Sequence, residues 1–131
     1  MQANELRIGN WVCFSEEGLQ FTVTEITPEG LGVINELEGT WIEINNFSGI
    51  PLSLDWLIKA NFMVGDRQDR DGNTLYILDN FCLGFKDGKF FFMDTMLTED
   101  ERVYELVITP IDYVHELQNL FFALYKKEIE L

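Results

Sequence analysis

At 131 residues, with 47% hydrophobic and 24% charged residues, the chain has the composition of a folded globular protein and the length of one domain. Its 23 acidic side chains against 9 basic ones leave a net charge of −14, a field that repels phosphate backbones and argues against direct nucleic-acid binding. The opening MQANELRIGN has no apolar signal stretch, and no run approaches the roughly 18 apolar residues of a membrane helix, so a soluble cytoplasmic protein is expected.

The first segment, ELRIGNWVCF, alternates Leu6, Ile8, Asn10, Val12 and Phe14 against Arg7, Gly9, Trp11 and Cys13, the period of a strand. SEEG turns the chain into FTVTEI, a β-branched second strand, and TPEG turns it again into LGVINEL and TWIEI. Four short strands within the first 45 residues predict a small SH3-like antiparallel barrel or sheet. A sheet of that size buries too little to stand alone. Residues 1–131 are therefore expected to form one compact domain, with 1–50 as a barrel-like β subdomain and 51–131 packed on it.

GIPLSLDWLIKANF predicts a short helix with Ser53 as N-cap, Asp55 in the first turn and Asn61 closing it. Leu54, Leu57 and Ile58 share one face, and Trp56 falls nearly opposite, either beneath a neighbouring sheet or as an exposed anchor. VGDRQDRDGN, the most polar stretch, reads as a loop. Its Asp69, Asp71, Gly72 and Asn73 hint at a calcium loop. Aligning Gly72 with the loop's glycine, however, puts Arg67 at the first ligand position and Leu78 where a bidentate Glu belongs, which excludes the motif. TLYILDNFCLGFKDGKFFFMD then reads as an antiparallel meander turning at Asp79-Asn80 and Asp87-Gly88, and RVYELVI as its last strand.

Thr109-Pro110-Ile111-Asp112 has the chemistry of a helix start, with Thr109 as cap and Pro110 at the first helical position. On the amphipathic C-terminal helix that follows, Tyr113, Val114, Leu117, Leu120, Phe121, Leu124 and Tyr125 make a face wide enough to lie across the meander. Ile111, His115, Gln118, Asn119 and Phe122 gather on the other side, where Phe122 meets either the returning tail KKEIEL or a partner. The fold class is thus α+β.

Catalytic chemistry finds little support in this pattern. His115 is the single histidine, and its sequence neighbour Glu116 points elsewhere on a helix, so no base and orienting acid are paired locally. Cys13 and Cys82 lie far apart in strand-like stretches and read as buried, reduced thiols. No catalytic residue, cofactor or metal is expected, and the chain reads as a non-enzymatic binding protein.

The segments LRIGNWV, IPLSLDWL and YVHELQNLFFAL, in this order and spacing, resemble a family of small acidic proteins of Bacteroidota and their phages and prophages. The twelve-residue helix segment is the specific one. The ending YKKEIEL and a Phe-rich meander depart from the family pattern. The resemblance implies a mobile-element accessory protein and carries no catalytic residues with it. Charge adds a direction: residues 1–58 hold nine acids against Arg7 alone, a net of −8, which would steer the chain to a basic surface.

These features converge on an inhibitor of a host nucleic-acid-targeting defence protein, of the anti-CRISPR type. Its partner would be a basic nucleic-acid-handling protein such as a CRISPR effector. The expected contacts are Glu36, Glu38 and Glu43 for steering and Trp56, His115 and Phe122 as anchors. The alternative is a phage structural or accessory protein that self-associates or docks through its C-terminal helix.

Overall fold

The computed structural model describes residues 5–14, 19–27, 30–34, 39–42, 47–68, 72–97 and 103–131. The architecture is α+β, with two antiparallel sheets and two helices, and the chain divides into two compact units. One comprises residues 1–51 with 113–129, the other 52–112 with 130–131. The chain thus changes unit after residue 51 and returns at residue 113.

In the first unit, β1 (Trp11–Phe14), β2 (Gln20–Thr27), β3 (Gly30–Ile34), β4 (Gly39–Ile42) and β5 (Phe47–Gly49) lie in the order β4-β3-β2-β1-β5. No described ladder joins the outer strands β4 and β5, so the sheet is open rather than a closed barrel. Leu6, Val12, Phe21, Val23 and Phe47 form the core, with Phe14 and Ile26 packed against it. Residues 5–10 are not the strand their alternation predicts. Gly9 takes a left-handed φ of 94°, and the Asn10 side chain accepts the Arg7 backbone N–H at 2.6 Å, folding this stretch back on itself.

In the second unit, α1 (Leu54–Lys59) is followed by β6 (Met63–Gln68), β7 (Thr74–Leu78), β8 (Phe81–Lys86), β9 (Lys89–Leu97) and β10 (Val103–Ile111), each strand pairing with the next. Leu75, Cys82 and Met93 form a core cluster with Ile77 against it. The hairpin at Asp87-Gly88 follows from its sequence: both residues have left-handed φ, 53° and 77°, as a type I′ turn requires. Part of the polar stretch expected as a loop is strand, since Met63–Gln68 forms β6. An edge strand needs partners on one side only and accommodates charge. Residues 69–71 of that stretch lie outside the described residues.

Two expectations for the closing helix are corrected. Thr109, Pro110 and Ile111 belong to β10, opposite Phe92, Phe91 and Phe90, and do not start a helix. Pro110 is tolerated because β10 is an edge strand. The helix α2 (Val114–Tyr125) begins one turn later, where the Glu116 carboxylate accepts the Tyr113 backbone N–H at 3.1 Å. It also groups with the first sheet rather than with the meander, through the polar contacts described next.

Candidate functional site

The buried face of α2 carries Val114, His115, Leu117, Gln118 and Phe121, whereas Leu124 and Tyr113 are exposed. The face is therefore rotated toward the polar side of the expected arc. Gln118 explains the rotation. Its Oε1 accepts the Trp11 backbone N–H at 2.9 Å, and its Nε2 donates to the Gly9 carbonyl at 3.1 Å. An amide that satisfies two backbone groups is worth burying. Asn10, fully buried, donates to Asn119 Oδ1 at 2.8 Å, and Asn119 Nδ2 donates to the Glu5 carbonyl at 2.9 Å.

Arg7 completes the connection. Its guanidinium donates to Asn119 Oδ1 at 3.0 Å and to the Gln118 carbonyl at 3.2 Å, and pairs with Glu128 at 2.7 Å. The same group lies 4.2 Å above the Phe122 ring. The tail does return, with Ile129 buried at 6% exposure, so Phe122 is covered by Arg7 instead of standing free as an anchor.

Beside this network lies a cavity of about 660 Å³, bounded by Glu5, Phe47 and Gly49 on one side and by Tyr113, His115 and Glu116 of the first turn of α2 on the other. The Tyr113 and His115 rings stack 5.6 Å apart and nearly parallel, at 12°. Gly49 makes room for them: a Cβ there would lie 2.6 Å from Tyr113 Cγ and Cδ1 and 3.0 Å from His115 Cε1. His115 is 4% exposed, and its Nδ1 has no hydrogen-bond partner. Burial pushes the imidazole below its usual value of 6.5, and the Glu5 carboxylate opposes this only in part. The histidine expected as a surface anchor is thus an interior group.

That placement sets a pH dependence. The unfolded chain takes up the His115 proton first, so this group's contribution to stability is complete above pH 6.5 and declines as pH falls through that value toward the lower folded pKa. Chemical denaturation of a His115→Gln variant should lose the decline between pH 6.5 and the onset of carboxylate titration near roughly pH 5. An unchanged slope would mean that other groups produce it.

The second unit has a different surface. In α1, Trp56 and Leu57 are buried, and the Lys59 ammonium lies 4.8 Å above the indole. Of the face expected to hold Leu54, Leu57 and Ile58, Leu57 is buried, whereas Leu54 and Ile58 are 45% and 61% exposed. Trp56 is therefore a packing residue, and Leu54 and Ile58 are the apolar residues of α1 that stay outward. Leu54 borders a groove of about 260 Å³ with Tyr76, Phe85 and Phe90, in which the Phe85 and Phe90 rings lie 4.8 Å apart. Phe85 is 39% exposed. On the edge strand β6, Met63 and Val64 are 73% and 65% exposed. Sequence reasoning missed these residues because β8 and α1 read as ordinary core elements; the unusual Phe content of the meander was the available signal.

Glu36, Glu38 and Glu43 lie outside the described residues. Among the described residues, no group of three His, Cys, Asp or Glu side chains is placed to hold a metal ion, and no helix is long and apolar enough to cross a membrane. Cys13 and Cys82 are free thiols.

Together these features define an α+β chain with an acid-lined cavity in one unit and an aromatic groove in the other. No protein-family model matches the chain, and no curated protein or solved structure is significantly similar to it.

Proposed function

We propose that this chain is a non-enzymatic binding module of mobile-element origin that inhibits a basic, nucleic-acid-handling defence protein of its host, in the manner of an anti-CRISPR. The observation that carries the reading is the aromatic groove of Leu54, Tyr76, Phe85 and Phe90, with Leu54 and Phe85 exposed, in a chain of net charge −14. Partly exposed large apolar groups are what an interface buries, and an acidic field steers a basic partner toward them. Within this reading the first sheet, in the order β4-β3-β2-β1-β5, is an SH3-like meander, and Glu36, Glu38 and Glu43 add steering charge.

The anchors proposed on this basis are Leu54 and Phe85, in place of Trp56, His115 and Phe122. Surface plasmon resonance against the captured effector should show Phe85→Ala or Leu54→Glu raising the dissociation rate about tenfold or more. Reversing Glu36, Glu38 and Glu43 should instead slow association and flatten its dependence on salt. Association that ignores salt would remove the steering half of the proposal.

Self-association through α2 is the competing reading, and the exposed Leu124 is what favours it. It predicts a concentration-dependent sedimentation shift abolished by Leu124→Asp. A monomer at all concentrations contradicts it.

A further inference from the structure

We propose that the aromatic groove beside Leu54 holds an arginine side chain of the partner protein. The source of that arginine rests on the docking reading; the chemistry of the groove does not. At about 260 Å³ the groove falls below the roughly 300–1,000 Å³ of small-molecule sites, a size that suits one inserted side chain.

Three rings border the space. Phe85 and Phe90 lie 4.8 Å apart and tilted at 52°, and Tyr76 meets Phe90 edge-on at 6.1 Å. Phe90 is buried at 6% exposure, whereas Phe85 is 39% exposed, so much of that ring is not taken up by its neighbour. Aromatic faces attract cations, and the planar, weakly hydrated guanidinium stacks on them readily. Leu54, 45% exposed, offers an apolar wall to the aliphatic stem of an arginine. Ser53 supplies a polar group that an apolar occupant would leave idle. It stands at the N-cap position of α1 without a side-chain cap hydrogen bond and lines the groove, so its hydroxyl oxygen can accept a guanidinium N–H.

Charge points the same way. Among the described residues, no Lys or Arg lines the groove. Phe85 pairs with Phe90 across the hairpin, and Lys86 pairs with Lys89 one residue nearer the turn, so alternation sends these lysines to the opposite face of the sheet. The Lys59 ammonium lies over the Trp56 indole. Residues 52–112 hold twelve acids and six bases, a net of −6, and this field favours an arriving cation.

The test is a titration of the full chain with blocked tripeptides that carry arginine, citrulline or norleucine between two glycines, at constant ionic strength. Citrulline keeps the shape of arginine without its charge, and norleucine is apolar. The amide ¹H–¹⁵N signals of Leu54, Phe85 and Phe90 report on the groove. Saturable shifts are expected with the arginine peptide, at a Kd about fivefold or more below that of the citrulline peptide. Phe85→Leu keeps an apolar side chain at a partly exposed position and removes the ring face. It should weaken the arginine peptide about fivefold and leave the norleucine peptide unchanged, with amide dispersion confirming the fold.

No saturable shift at about 50 mM arginine peptide, equal or tighter binding of citrulline or norleucine, or full arginine affinity in Phe85→Leu would overturn the proposal. The titration uses the chain alone. A negative result therefore strikes the arginine assignment and not the docking reading, whereas a positive one stands even if no defence protein is bound.

Discussion

Replacing Gln118 with leucine is expected to destabilise the first unit by about 3 kcal/mol, although the two side chains are nearly equal in volume. The amide is 2% exposed and serves two backbone groups of another segment, the Trp11 N–H and the Gly9 carbonyl. Leucine would remove the partner of both groups, which are part-buried and only partly reachable by water. Each such orphan costs about 1–3 kcal/mol, more than the extra apolar contact returns. For a chain of this size, that corresponds to a fall in Tm of roughly 10 °C, readable by calorimetry or circular dichroism. A change below about 3 °C would mean that water or a shifted α2 satisfies those groups, and that Gln118 does not set the helix face.

Phe81→Ala should be comparably severe in the second unit. The ring is fully buried, stacks on Phe92 at 4.9 Å between centroids and meets Phe62 edge-on at 6.1 Å. Truncating a buried phenylalanine costs about 3–5 kcal/mol, because the lost transfer energy is joined by the cavity left behind. Phe81→Leu keeps much of the volume and should cost less than half of that. Urea denaturation of the two variants separates the cases, and equal midpoints for Phe81→Ala and wild type would contradict the assigned core.

What was legible in the sequence follows a physical division. Local chemistry was readable: Asp87-Gly88 turns a hairpin and the β-branched runs form strands, and Ser53 stands at the N-cap position of α1, although its side chain makes no cap hydrogen bond. Placement that depends on distant partners was not. Hydropathy put His115 and Gln118 on the open side of α2, but Gln118 satisfies backbone about 107 residues away and is drawn inside, bringing His115 with it. Pro110 looked like a helix start because its φ suits one, and only the pairing of β10 with β9 makes it an edge-strand residue. Trp56, Leu57 and Ala60 are the buried set, which leaves Leu54 and Ile58 outward.

The candidate sites divide in the same way. An acid-lined cavity could not be foreseen, because it brings Glu5 together with the start of α2, more than a hundred residues later. The apolar groove could have been suspected from the excess of Phe in the meander, but not which rings stay exposed. Burial of Trp56 and His115 and the covering of Phe122 by Arg7 move the proposed anchors to Leu54 and Phe85.

The central claim is that this chain binds and inhibits a basic nucleic-acid-handling defence protein through the groove at Leu54 and Phe85. Its most direct test is a nuclease-treated capture from a defence-equipped Bacteroidota host, run in parallel with wild type and Leu54→Glu/Phe85→Glu, followed by a cleavage assay of the recovered protein. The account predicts one stoichiometric basic effector on the wild-type chain, absent from the folded double variant, whose nucleic-acid cleavage falls when purified wild-type chain is added. Recovery of the bait alone, or of a partner retained equally by the double variant and still fully active, would contradict it.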